Sequence, residues 1–104
     1  MRALLVRPRE LAVEIEIPNT LKALQEAVGG YIEVVEAAGC ALIVDEEGLL
    51  KGLEHNLSFE QKFQQYHMFG NILICGIDGE KFCDLTDFEV EQWESLINFG
   101  EGRG

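Results

Sequence analysis

Over Leu11-Ala12-Val13-Glu14-Ile15-Glu16-Ile17 every odd position is a large apolar residue and every even one is small or charged. A period of two puts successive side chains on opposite faces of an extended chain, so this stretch reads as a strand with one face turned to a core. Ala3-Leu4-Leu5-Val6 before it reads as a second strand, and Arg7-Pro8-Arg9-Glu10 supplies a proline that suits a turn and not a central strand. The chain therefore opens as a hairpin. With 104 residues, 47% of them hydrophobic, there is material for one packed core and no room for a second. Residues 1–99 are expected to form that single domain, and Gly100-Glu101-Gly102-Arg103-Gly104 a tail that frays.

Pro18-Asn19-Thr20 stops the second strand and offers helix caps, after which Leu21, Leu24 and Val28 recur at helical spacing up to Gly29-Gly30. Tyr31-Ile32-Glu33-Val34-Val35 and Cys40-Ala41-Leu42-Ile43-Val44 read as strands. The second is closed by a solvated turn, Asp45-Glu46-Glu47-Gly48, with Leu49-Leu50-Lys51 as a short return strand. Ser58 with Gln61 fits a capping box, and Phe59, Phe63 and Tyr66 lie at helical spacing, so a short helix is expected within 58–68. Asn71-Ile72-Leu73-Ile74-Cys75 has the length of a buried strand, Asp78-Gly79 marks a turn, and Lys81-Phe82-Cys83-Asp84 pairs back across it. Thr86-Asp87-Phe88-Glu89 is a full capping box, followed by Val90, Trp93, Leu96 and Ile97 at helical spacing. This order, β-β-α-β-β-(α)-β-β-α, predicts an α+β fold: a largely antiparallel sheet with two to three helices packed on one face.

Eight Lys and Arg stand against nineteen Asp and Glu, a net charge of −11. A field of that sign repels phosphate backbones and anionic lipid, which disfavours direct nucleic-acid binding and membrane adhesion. No apolar run approaches the ~18 residues of a membrane span. Met1-Arg2-Ala3-Leu4 lacks the cleavage region of a signal peptide. Cys40, Cys75 and Cys83 are odd in number and contain no Cys-x-x-Cys pair, which suits a reduced cytosol.

Gly29-Gly30-Tyr31 admits two readings. In one, glycine N–H groups face an anion while Tyr31 stacks on a ring; in the other, the glycines stop a helix and Tyr31 joins the core. Asn56 and His55 lie in a loop region, placed to touch a ligand or to cap the loop. His55 and His67 are not at finger-like spacing from any cysteine, and Asp45-Glu46-Glu47 lacks the spaced ligands of a calcium loop. No metal and no cofactor are expected. No phosphate loop or nucleophile motif is present, so the chain reads as non-enzymatic; an acid–base pair, if one formed, would join Asp45 or Glu33 to His55. Cys40 and Cys75 read as inert core residues, and Cys83 as the more accessible thiol. Phe59, Phe63, Tyr66, Met68 and Phe69 read as a core stripe or, if exposed, as an oligomer surface or pocket wall.

The segment Val28-Gly29-Gly30-Tyr31-Ile32-Glu33-Val34-Val35 resembles the Gly-Gly-Tyr-Ile-Glu element of the domain of unknown function 3846 family. Two further pieces match in order: Asp45-Glu46-Glu47-Gly48 leading into Leu49-Leu50-Lys51-Gly52-Leu53 and Asn56, and the Gly70-to-Gly76 strand with Leu85-Thr86-Asp87. The start, Arg2-Ala3-Leu4-Leu5-Val6 with Pro8, is similar as well; the chain departs where Leu57 stands in place of an arginine frequent in the family. The resemblance implies a small protein of phages and mobile elements, acting in the host cytosol in a host-interaction or defence-countering role, and assigns no chemistry. The expectation is a protein that sequesters a small nucleotide-like molecule through Gly29, Gly30, Tyr31 and Asn56, with a homo-oligomer interface as a place for the pocket. The alternative is an acidic inhibitor or DNA mimic that docks on a host protein through Glu89, Glu91 and Glu94.

Overall fold

The computed structural model describes residues 1–100, 102 and 103. The chain runs β1 (Arg2–Val6), β2 (Val13–Glu16), α1 (Leu21–Val28), β3 (Ile32–Ala37), β4 (Cys40–Asp45), β5 (His55–Gln61), β6 (Gln64–Phe69), β7 (Ile72–Asp78), β8 (Lys81–Cys83) and α2 (Asp87–Phe99). Five strands form the path β2-β1-β7-β4-β3, β8 pairs with the end of β7, and every pairing is antiparallel. β5 and β6 make a separate two-stranded ribbon. The fold is α+β.

The central strands explain the layering. All of β4 is buried, as are Ile72 to Gly76 of β7, so both faces of the sheet centre need a cover. Leu4, Val6, Leu42 and Ile74 pack on one side with Val90, Trp93 and Ile97 of α2. Ala3, Leu5, Ile43 and Leu73, their alternates, pack on the other with Leu24 and Val28 of α1. The helices therefore lie on opposite faces, not on one as expected. β2 occupies an edge, so its apolar face is covered unevenly: Val13 is exposed, Ile15 half-buried, and Ile17, just past the strand, buried.

Two further expectations are corrected. Residues 58–68 form strands, not a helix: Phe59 pairs with Tyr66 across the ribbon, their rings stacked 5.1 Å apart. A spacing of seven fits one helical face, but it also fits one face of a tight hairpin. Leu49-Leu50-Lys51 makes no return strand, because Lys51 and Gly52 bond back to the carbonyls of Glu47 and Leu49 in successive turns. Within the expected tail, the Arg103 guanidinium donates to the carbonyls of Asn56, Ile97, Arg7 and Glu10. Glu101 and Gly104 lie outside the described residues.

Candidate functional site

Thr20 starts α1 by accepting the Ala23 N–H at 3.2 Å, and Gly29 ends it in the left-handed region at φ 90°. The N–H groups of Gly29 and Gly30 both donate to the Gln25 carbonyl, at 2.8 and 3.1 Å. They close the helix and do not face outward, so the anion-cradle reading of these two glycines fails. Gly30 matters for the space it leaves, since a Cβ there would fall 2.6 Å from Lys51 Nζ and 2.8 Å from Asp45 Oδ2. Its bare backbone leaves room for that pair. Lys51 donates to Asp45 Oδ2 at 2.7 Å and to the Gly29 carbonyl at 3.2 Å, joining the loop after β4 to the end of α1.

Tyr31 leaves this junction with its side chain 66% exposed, outside the core. It stands in an open hollow of about 380 Å³ with Lys22, Gln25 and Glu26 of α1, and with Glu47 and Lys51. Lys51 holds the Asp45 carboxyl below its usual range, and Asp45 in turn raises the Lys51 ammonium. Asp45 is not in a solvated turn as expected but buried, its other oxygen accepting the Glu47 N–H at 2.9 Å. Lys51 is thus already committed, and Lys22 is the hollow's less encumbered cation.

Asn56 is not part of this hollow. Its side chain is fully buried at a bulge between His55 and Leu57, where Nδ2 donates to the carbonyls of Val6 and Gly70 at 2.9 and 2.8 Å. Its position ties the ribbon to the end of β1. Of the four expected ligand contacts, the structure brings together Gly29, Gly30 and Tyr31 and sets Asn56 apart.

The three glutamates of α2 also separate. Glu89 completes the capping box with Thr86 and accepts the Cys40 thiol at 3.2 Å, contacts that hold its carboxyl below the usual range. Glu91 is exposed and Glu94 half-buried, both on the flank of α2 away from Glu89. The outward side of the helix also carries exposed apolar residues, Phe88 at 69%, Leu96 at 54% and Phe99 at 85%, among Gln92 and Ser95.

Sequence reasoning missed the arrangement of His55, Ser58 and His67. Ser58 Oγ lies 2.6 Å from His55 Nε2 and 2.7 Å from His67 Nδ1. A hydroxyl has one proton, so it donates to one ring and accepts from the other. The signal appears only once β5 and β6 are paired, with Ser58 opposite His67. Glu33 and Asp45 line a second hollow, of about 330 Å³, beside His67 and Phe69, so the histidine near them is His67 and not His55. Cys40 and Cys75 are fully buried, their thiols pushed up to about 11 and about 12 chiefly by burial; Cys83 is partly exposed. Among the described residues, no group of three or more His, Cys, Asp or Glu is arranged to hold a metal ion, and no helix is long and apolar enough to cross a membrane.

A family profile described as Domain of unknown function (DUF3846) matches residues 1–98. No curated protein and no solved structure matches the chain. The chain belongs to the DUF3846 family.

Proposed function

We propose that this member of the family is a non-enzymatic binding protein that sequesters a small, planar, nucleotide-like anion against Tyr31. One observation carries the reading: in a chain of net charge −11, an exposed aromatic ring stands in a hollow bordered by Lys22 and Lys51. A base stacked on the Tyr31 ring gains about 1–3 kcal/mol, and Lys22 is placed to meet a phosphate. Glu26 and Glu47 share the hollow and offset the lysines, so stacking supplies most of the affinity and a ligand with few phosphates fits best. The mobile-element setting implied by the resemblance makes the ligand a host signalling nucleotide and its removal a counter to host defence.

Titration calorimetry with cyclic mononucleotides, cyclic dinucleotides and cyclic ADP-ribose variants tests the reading. Binding of one member is expected, lowered about tenfold or more in Tyr31→Ala, as loss of a stacked base requires. Binding heat from none of them, at any protein concentration, rejects it.

A second reading has its own observation. Phe88 and Phe99 are exposed along α2, on the same helix as Glu91 and Glu94. An apolar face with acidic residues beside it suits docking on a basic host protein, with charge accelerating encounter. Under this reading Glu91→Lys with Glu94→Lys slows association with a host enzyme and leaves nucleotide binding at Tyr31 unchanged.

A further inference from the structure

The main sheet ends on one side at β3, whose residues Ile32 to Ala37 pair with β4 in unbroken register. Antiparallel bonds alternate along a strand, so every second residue turns its N–H and C=O away from the partner. The Tyr31 carbonyl accepts the Glu46 N–H, which puts Tyr31, Glu33, Val35 and Ala37 on the β4 side of the ladder. Ile32, Val34 and Glu36 therefore present their backbone groups outward. Gln61 Nε2 donates to the Glu36 carbonyl at 2.7 Å, from the base of a ribbon tip that turns through Lys62 and Phe63 in left-handed backbone, φ 51° and 64°. That tip closes one end of the edge. At Ile32 and Val34, nothing among the described residues bonds to the outward N–H and C=O groups.

Proteins blunt such edges with lysine, proline, bulges or very short strands. β3 has none of these, and its only charges are Glu33 and Glu36, both exposed. An open edge is completed by an extended chain, whose backbone supplies the missing donors and acceptors. The charge says which chain. Glu33 and Glu36 repel a second β3, and two copies of net charge −11 repel each other as a whole. The same carboxylates attract Lys and Arg. On the face of Glu33, beside the edge, lies the hollow of about 330 Å³ that His67 borders. Glu33 and Glu46 give it acid, while Leu49, Met68 and Phe69 give it an apolar wall. Asp45 in the same wall is already matched by Lys51. A Lys or Arg side chain suits this mixture, its stem on the apolar wall and its charge on the free carboxylates. Val34 alternates to the other face and is 39% exposed, an apolar seat for the next residue of the added strand.

We propose that the β3 edge binds an extended, basic segment of another protein by strand addition. Its backbone pairs with Ile32 and Val34, an apolar residue lies opposite Val34, and a Lys or Arg opposite Glu33 enters the hollow. Directly opposite residues share a face, so the spacing of apolar and basic positions is set by β3 itself. The contact is short, below the size of a standard interface, and its affinity falls with salt. Neither Glu33 nor Val34 lines the hollow in front of Tyr31, and α2 takes no part. This inference therefore stands or falls separately from the ligand reading.

Fluorescence anisotropy with the labelled peptide Ser-Thr-Val-Arg-Val-Thr-Ser tests it. The wild type is expected to bind, and Val34→Pro to bind about tenfold or more weakly, since it removes an outward N–H and leaves the β4 ladder intact. Glu33→Lys is expected to lose about as much and to regain binding with the peptide that carries Glu in place of Arg. The peptide N-methylated at both valines keeps its charge but cannot donate, and is expected not to bind. It also replaces Val34→Pro if that variant does not fold. No binding to the wild type at millimolar peptide overturns the proposal. Equal binding of the N-methylated peptide does so too, because charge alone would then account for the contact. So does a wild type that self-associates in sedimentation and loses this in Val34→Pro, which would make a second copy the occupant.

Discussion

The Lys51 ammonium lies 2.7 Å from Oδ2 of Asp45, a side chain that is 1% exposed, and Gly30 leaves the space that lets them meet. The pair links the end of β4, the loop after it and the C-terminus of α1, so it positions the hollow in front of Tyr31. Its effect on acid stability has a definite sign. The Asp45 carboxyl is lowered in the fold, so its contribution is present above the unfolded value near pH ~4. That contribution is lost as pH falls through the lower folded value. Asp45→Asn is expected to lower stability at neutral pH and to flatten the acid limb below pH ~4. Urea midpoints measured across that range check it; an unchanged acid limb rejects the assignment.

Gly30→Ala tests the same junction from the other side. A Cβ at this position must displace both Lys51 Nζ and Asp45 Oδ2. Loss of stability of about 1–3 kcal/mol is expected, the range for strain or a broken buried contact. In the double variant with Asp45→Ala the penalty shrinks, because the crowded carboxylate is gone. Denaturant unfolding of the four proteins of this cycle measures the coupling. Additive effects mean that Gly30 has another role.

Asn56 is expected to matter for stability and not for ligand affinity. Asn56→Ala leaves the buried carbonyls of Val6 and Gly70 without the donor they share, a loss of about 1–3 kcal/mol. Calorimetry on the folded fraction, with whichever nucleotide binds the wild type, should return an unchanged dissociation constant. A large drop in affinity with folding intact would bring Asn56 back into the site.

Phe63→Gly makes the opposite prediction for stability. Left-handed backbone at a non-glycine residue costs about 1–2 kcal/mol, and glycine's extra freedom in the unfolded chain returns about 0.5–1 kcal/mol of that. The exposed ring has no packing to lose. A net gain of about 0.5–1 kcal/mol is expected, or a few degrees in Tm for a domain of this size. A lower Tm means the ring packs within its own chain.

What the sequence made legible follows from how local each signal is. The capping box at Thr86 and Glu89 involves neighbours in the chain, and α2 starts there. The apolar run 72–75 reads as a central strand because nearly every residue in it is apolar. The helix expected within 58–68 failed because Phe59 and Tyr66 meet across a hairpin whose turn, Lys62-Phe63, has none of the usual turn residues. The sides taken by α1 and α2 were not legible either: strands apolar at every position say that both faces are covered, and not which helix covers which. Gly29-Gly30-Tyr31 was correctly singled out as a helix end, yet its N–H groups point inward. The carboxylate and ammonium that matter beside it, Asp45 and Lys51, come from the end of β4 and the loop after it, more than a dozen residues away.

The cysteines carry the last prediction. Cys40 and Cys75 are fully buried, with thiols pushed up to about 11 and about 12, whereas Cys83 on the short strand β8 is partly exposed. In the unfolded chain each thiol ionises near pH ~8.5. A group whose folded pKa is raised contributes stability that is complete below the unfolded value and disappears as pH rises through the folded one. Unfolding should therefore become easier from pH ~9 upward. Cys75→Ala should show a shallower alkaline decline, offset by a small cavity at every pH. Burial raises the Cys83 thiol as well, so access decides the order: a disulfide reagent at pH ~8 should modify the partly exposed Cys83 first, with Cys40 and Cys75 reacting only as the protein unfolds. Mass spectrometry of the modified protein identifies the site. Equal labelling of the three thiols in the folded state would show that β4 and β7 open far more readily than their burial allows.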